Sequence, residues 1–468
     1  MRRFFQRFLS IAVLLALAGQ GCTRALPPET VAASRPVTLR IWSVVDDFDV
    51  YQDAINAFRS EHPNVSFDFR RLRLEEYESE LLDALAEDRG PDIFMIHNTW
   101  TNKYLTKITP MPRQTATAYR TLTEGLKKEP TWELRTEPTI SLSQFRDTFA
   151  DAVSHDLLRT VNLAAEGEPP AFQERPMGVP VSVDTLALYY NKDLLNAAGI
   201  PTPPENWTQF ADQVKLLTRL DSQGNILQSG AAIGTAYNVE RSTDILTALM
   251  IQNGTEMSTP DGAPSFHVMP AALRGLREEP PSYQAVTFYT DFANPQRDVY
   301  TWNPNFPNSM DAFIQGQTAF FFGYSYHYDT IRARGPRLNL GISKLPQIEG
   351  NPVKNVANYW YWTVSRKSRN QDVAWRFLNS LTNADVAQGV LDASRRPAAR
   401  KSLLSGQLED EQVGVFASQV LTAVSWYRGE DPEAMEAALQ QLIEDVRLGT
   451  RDVQRAVIFA ANQVGQTY

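Results

Sequence analysis

The sequence predicts an α/β protein organised in two or three domains. Three observations predict it. The chain has 468 residues, 43% of them hydrophobic, more apolar material than one core of ordinary size takes up. From residue 37 it runs strand, helix, strand, the pattern of a βαβ unit with parallel strands. A short, wholly apolar run, Ile93–Ile96, then reads as a parallel strand buried on both faces.

The elements follow in order. Val37, Leu39 and Ile41 alternate with Thr38 and Arg40, a period of two that specifies a strand. Asp46, Asp47 and Asp49 mark a turn and a helix start, since Asp is favoured at N-caps. Tyr51, Ile55 and Phe58 recur at i, i+4 and i+7, one face of a helix, and Pro63 lies beyond its end. Val65, Phe67 and Phe69 alternate again. Tyr77, Leu81, Leu82 and Leu85 share a face of a second helix over 75–87. The run "IFMI" ends in His97, Asn98 and Trp100. In open α/β sheets ligands bind beyond the carboxyl ends of the strands, which puts Asp46, Asp47, Asn98 and Trp100 on one rim.

The first 21 residues have a different character. Arg2, Arg3 and Arg7 precede an apolar run, Phe8–Ala18, and small residues follow: the order of a secretory signal. The run falls short of the roughly 20 apolar residues that span a bilayer. Its removal leaves 42 basic against 54 acidic residues, a balance of −12. Cys22, the one cysteine of the chain, sits where cleavage would fall. It resembles the acylated cysteine of a bacterial lipoprotein, although Gly19-Gln20-Gly21 stand where the lipoprotein pattern has an aliphatic residue three places before. With one cysteine no disulfide forms within the chain. Residues 23–36 are polar and rich in Pro and Ala, the composition of a flexible tether.

Five motifs in one order resemble the extracellular solute-binding proteins of ABC importers, in particular the carbohydrate-binding, maltose-binding-protein-like family. They are the Pro-Asp strand "PDIFMIHN"; "GVPVSVDTLALYYNKDLLNAAGIPTPPENW" with Gly178, Pro180, Tyr190-Asn191-Lys192 and Trp207; "ALMIQNGTEM"; "AFIQGQTAFFFGYSY"; and "YWTVSRKSRNQDVAWRFLNSLTN". The resemblance covers residue 37 to the end and implies a two-lobed periplasmic-binding-protein-like fold of type II, with a hinge and a ligand cleft between the lobes. It implies a receptor rather than an enzyme, with no cofactor, monomeric, anchored to the cell envelope through lipid on Cys22 and delivering a small solute, a saccharide by this resemblance, to permease subunits. The domains expected are a signal peptide at 1–21, a lipid-anchored tether at 22–36, lobe one at 37–115 and 310–365, and lobe two at 179–305 and 370–468. A stretch that does not match, 116–178, is expected to be a mostly helical insertion.

A pyranose presents a C–H face to aromatic rings and hydroxyls to amides and carboxylates. The ring candidates are therefore Trp100, Tyr237, Tyr324, Trp360 and Trp362, and the polar ones Asp46, Asp47, Asn98 and Asp184. Arg396 lies in a loop that faces the cleft in such proteins. Each has a structural alternative. The aspartates at 46–49 can cap a helix, and alternate side chains of "YWYW" at 359–362 point opposite ways, so one pair belongs to a core.

No basic block points to nucleic acid. No His-Glu-x-x-His, Cys-x-x-Cys or P-loop occurs. "GYSYH" at 323–327 begins like a nucleophile elbow but has His327 in place of the final glycine, and "DDFD" lacks the spacing of a calcium loop. Two rival functions stay open on sequence: a glycan-acting surface enzyme using two carboxylates, and a lipoprotein scaffold that has lost its ligand.

Overall fold

The opening unit forms as its periodicity requires. In the computed structural model, which describes residues 26–123, 128–165 and 167–468, strand Val37–Ser43 lies parallel to Val65–Arg71 on one side and to Ile93–His97 on the other. Helix Phe48–Glu61 buries Tyr51, Ala54, Ile55 and Phe58 on one face, and helix Leu74–Ala86 buries Tyr77, Leu81, Ala84 and Leu85. Asp47 occupies the N-cap of the first helix, but its side chain makes no capping bond; it pairs with Arg71 at 2.6 Å instead. The first sheet is completed by strands Trp360–Ser365 and Ile108–Thr109, and the former runs antiparallel to Ile93–His97.

A second five-stranded sheet has the order Arg219–Leu220, Ile226–Ala231, Thr318–Gly323, Ala187–Asn191, Leu340–Lys344. Its strand Thr318–Gly323 is buried at every position. Phe320 packs on Phe210 at 5.6 Å between ring centres, and Phe322 on Trp207 at 5.8 Å. Each such fully buried aromatic side chain stabilises by about 1.5–3 kcal/mol. The expected assignment of 310–365 to lobe one is therefore corrected. Residues 318–344 build the second sheet, and only 360–365 join the first. The assignment of 370–468 to lobe two is corrected likewise. Trp375, Phe377 and Leu378 belong to the first core, with Phe377 4.9 Å from Phe67 and 5.4 Å from Phe58, and the chain returns to the second core from Tyr427 onward.

The stretch expected to be a helical insertion is mainly β. Gln114–Leu122 pairs with Pro130–Pro138 over nine residues, and Leu158–Asn162 pairs with Phe172–Pro176. Two seven-residue helices, Leu142–Thr148 and Asp151–Leu157, stand between the hairpins. Threonines 115, 117 and 121 alternate along the first hairpin, and β-branched residues at period two favour a pleated surface. The tether is also corrected in part. Pro28–Ala33 forms a short helix that buries Thr30, and Asn64 Nδ2 donates to the carbonyls of Ala33 and Arg35 at 3.1 and 3.2 Å. The expected signal 1–21 and Cys22 lie outside the described residues.

Three crossings connect the lobes, and each contributes to a small third sheet: Asp184–Thr185, Asn355–Asn358 and Ala423–Val424. Gly178 leads into the first crossing. A Cβ there would stand 2.2 Å from a Tyr361 ring carbon and 2.5 Å from the Trp362 carbonyl, so the glycine is required by close approach. Asn355 and Gln419, both buried, join the crossings. Asn355 Oδ1 accepts from Leu186 N–H at 3.1 Å and Val356 N–H at 2.7 Å, and its Nδ2 donates to Leu186 C=O and Gln419 Oε1, both at 2.8 Å. Gln419 Oε1 also accepts from Leu345 N–H at 3.0 Å. Replacing Asn355 by Ala orphans several buried groups, each costing about 1–3 kcal/mol. Asn355→Ala is expected to lose about 3 kcal/mol of stability, read as a lower denaturant midpoint; an unchanged midpoint would refute this role for the side chain.

Candidate functional site

The small hinge sheet floors a cleft of about 640 Å³. Asp184, Val356, Ala357, Asn358, Val424 and Ser425 form its base. The first lobe supplies one wall from the turn beyond Ile93–His97. His97 accepts from the Thr99 N–H and so fixes the turn Asn98–Trp100. Trp100 and Trp360 meet edge to face at 5.2 Å, and Trp100 stacks on Tyr104 at 5.7 Å, so both indoles are held from behind while remaining part of the lining. Burial first, and then the nearby Arg241 guanidinium, push the His97 imidazole down to about 4. At neutral pH His97 is an uncharged wall residue.

The second lobe supplies the opposite wall from the N-terminus of helix Ser242–Gln252, the turn carrying Tyr326, and the first turn of helix Pro432–Leu448. Arg241 caps its helix in the left-handed region, φ 55° and ψ 35°, a conformation that costs a residue with a Cβ about 1–2 kcal/mol. Its guanidinium bonds Asp244 at 2.8 Å and Glu436 at 3.4 Å, which offsets the strain and aims it along the wall.

Of the residues named from sequence, Asn98, Trp100, Asp184, Trp360 and Arg396 line the cleft together. Asn98 is nearly enclosed, donating to Asp156 at 3.1 Å and Ser425 at 3.3 Å. The others stand apart from the lining, for reasons the packing supplies. Asp46 is buried and holds Arg396 at 3.0 Å, and Asp47 holds Arg71, itself a lining residue. Trp362 is buried and donates from its indole N–H to Tyr51 Oη at 3.0 Å, and Tyr51 in turn donates to Asp46 at 3.3 Å. Tyr324 is fully buried and donates to Asp244 at 2.6 Å. Tyr237 is 69% exposed and outside the cleft. Sequence reasoning missed Glu240, Arg241, Asp244, Tyr326, Trp426 and Glu436. Of these only Tyr326 had a local signal, its place in the "GYSYH" turn.

Asp184 has both oxygens engaged. Oδ2 accepts from the Ser325 N–H at 2.9 Å and its hydroxyl at 2.6 Å, and Oδ1 accepts from the Thr185 N–H at 2.9 Å. Burial outweighs these bonds and pushes the carboxyl up from 3.8 to about 6. A carboxyl raised in this way contributes stability that is fully present below its unfolded value and is lost as pH rises through about 6. Asp184→Asn keeps the neutral form at every pH. The stability difference between the variant and the natural protein is therefore expected to move in favour of the variant between about pH 4 and pH 7. Urea midpoints measured across that range test it, and a pH-independent difference would contradict it.

A family model described as "Bacterial extracellular solute-binding protein" matches residues 140–388. A binding protein of Brucella abortus (strain 2308) is 24% identical over 223 residues, a stretch that takes in 46% of this chain and 49% of that protein, so the chain spans about half the length of that relative. The galactooligosaccharide-binding protein of Bacillus subtilis (strain 168) is 22% identical over 403 residues, 84% of this chain and 80% of that one. Among solved structures, an ABC transporter solute-binding protein from Thermotoga lettingae, bound with α-D-tagatose, superposes with a TM-score of 0.62 at 18% identity, covering 92% of this chain and 99% of the other. The two-lobed α/β architecture is thus that of maltose-binding-protein-like structures.

Proposed function

Because this chain belongs to the family of bacterial extracellular solute-binding proteins, we propose that it is the receptor of an ABC importer, capturing a sugar or oligosaccharide between its lobes and presenting it to permease subunits. The observation that carries the reading is the convergence on one cleft, over a hinge sheet, of two half-buried indoles and polar groups from both lobes. Trp100 and Trp360 offer flat apolar surface to a sugar's C–H face, while Arg396 and Tyr326 in the lining offer hydrogen bonds, with Asn98 and Asp184 fixed beside them. Closure of two lobes about a few hinge residues is an established way to enclose a ligand and to signal that it is bound. The relatives support the solute class: one curated relative is named for galactooligosaccharides, and a superposing structure holds tagatose.

Asp46 and Asp47 enter this reading as the partners that hold Arg396 and Arg71 in the cleft, and Tyr324 as the partner that holds Asp244. Tyr237 carries no ligand role. A ligand that binds the folded state alone raises its stability by about 2.7 kcal/mol at a hundredfold excess over Kd, about 3 °C for a chain of this size. A panel of mono- and oligosaccharides, with amino acids and peptides as controls, is expected to raise the midpoint of the full chain with one saccharide class. Trp360→Ala is expected to cost about 2 kcal/mol of that binding, roughly thirtyfold in Kd. A midpoint that no saccharide moves would sink the reading.

The cellular side of the proposal rests on the opening residues. Three arginines, the run Phe8–Ala18 and Gly21-Cys22 support export followed by acylation of Cys22, which would hold the receptor at the extracytoplasmic face of the envelope. Among the described residues no helix is long and apolar enough to cross a membrane. Full-length protein is expected to sediment with membranes and to incorporate labelled palmitate, and Cys22→Ser is expected to do neither. Equal partitioning of the two proteins would rule the anchor out.

A further inference from the structure

We propose that the cleft selects a solute bearing a protonated amine, an amino sugar or an oligomer of one, over neutral and acidic saccharides. This deepens the saccharide-receptor reading and rests on it. The argument is one of charge. Three arginines line the cleft, and five carboxylates line it with them: Asp184, Glu240, Asp244, Glu433 and Glu436. The arginines are already matched. Arg71 pairs with Asp47 at 2.6 Å and Arg396 with Asp46 at 3.0 Å. Arg241 stands between two carboxylates, Asp244 at 2.8 Å and Glu436 at 3.4 Å. The lining thus has an excess of negative charge, and each guanidinium in it already has a carboxylate partner.

Glu240 stays ionised: His327 first, then Asn308 and the Arg241 guanidinium, hold its carboxyl down to about 2 against burial. Its Oε2 accepts from the amide of Asn308 at 3.0 Å. Its other neighbour is His327, whose Nδ1 accepts from the Tyr324 N–H at 2.9 Å. The ring's other nitrogen, Nε2, stands 3.9 Å from Glu240 Oε1. Glu433 is exposed and pairs with no basic side chain among the described residues.

These charges share the cleft with an aromatic ring. Tyr326 lines the cleft with 42% of its surface accessible. Its ring stacks on Tyr324 at 5.7 Å and leans on His327 at 4.3 Å, and Asp184, Glu240 and Asp244 share the cleft lining with it. A cleft lined by an accessible tyrosine and an excess of carboxylates attracts an ammonium through the ring quadrupole and through their field. A neutral hydroxyl at the same place gains neither term, and a uronate is repelled.

The test is calorimetry on the full chain with matched ligands: glucosamine, galactosamine and their di- and trisaccharides, each against its N-acetylated parent, the unsubstituted sugar and a uronic acid counterpart. At about pH 6.5, where such amines are charged, at least one amine is expected to bind about tenfold tighter than its uncharged parents, and the gap is expected to shrink in about 0.5 M salt. Glu240→Gln is expected to cut the amine-to-neutral ratio by about tenfold. Neutral or acidic sugars binding as tightly as their amines would overturn the proposal and leave the saccharide receptor standing. Binding of no saccharide of any kind would overturn both.

Discussion

The rest of the molecule depends on a buried amide pair, Asn355 with Gln419, at the place where three crossings meet. The sheet there is minimal: Asn355–Asn358 pairs with two residues on each side. Backbone groups in the crossings must still be satisfied away from water. The two side-chain amides do this for Leu186, Val356 and Leu345 at once. They are uncharged, so their bonds do not titrate as the carboxylates above them do. By fixing how the crossings sit together they place Asp184, Ala357, Asn358 and Ser425 as one floor.

From that floor the walls are aimed by residues that do not face the cleft. One chain of bonds runs from Trp362 through Tyr51 and Asp46 to Arg396. Another runs from Tyr324 through Asp244 to Arg241. In each, a buried aromatic donor orients a carboxylate, and the carboxylate orients a guanidinium at the cleft surface. Networks of this kind narrow the geometry because every buried member must be satisfied together. A charged lining is held open without collapsing into arbitrary ion pairs.

The two rival functions fare differently against this arrangement. Hydrolysis of a glycan by paired carboxylates needs one that holds a proton and is free to give it. Asp184 has the raised pKa, but its oxygens accept three bonds from Ser325 and Thr185. That is the chemistry of a floor residue. A scaffold would present its aromatics outward, whereas Trp100 and Trp360 are braced edge to face within the cleft.

The sequence by itself determined the local structure and part of the site. The period of two at 37–41 and 65–69, the 3.6-residue spacing of Tyr51, Ile55 and Phe58, and the apolar run 93–96 each encode an element in its own residues. The rim of polar and aromatic residues after Ile96 follows from where strands end in such sheets. The alternating threonines of 115–121 encode a strand by the same period of two. Only the tertiary structure decided which sheet Thr318–Gly323 joins, because a strand buried on both faces reads the same in either lobe. It also decided that Tyr324 and Trp362 support the cleft rather than line it. The acid wall was beyond sequence for one physical reason. Asp184, Glu240, Asp244 and Glu436 come from three distant segments, and their field exists only where folding brings those segments to one cleft.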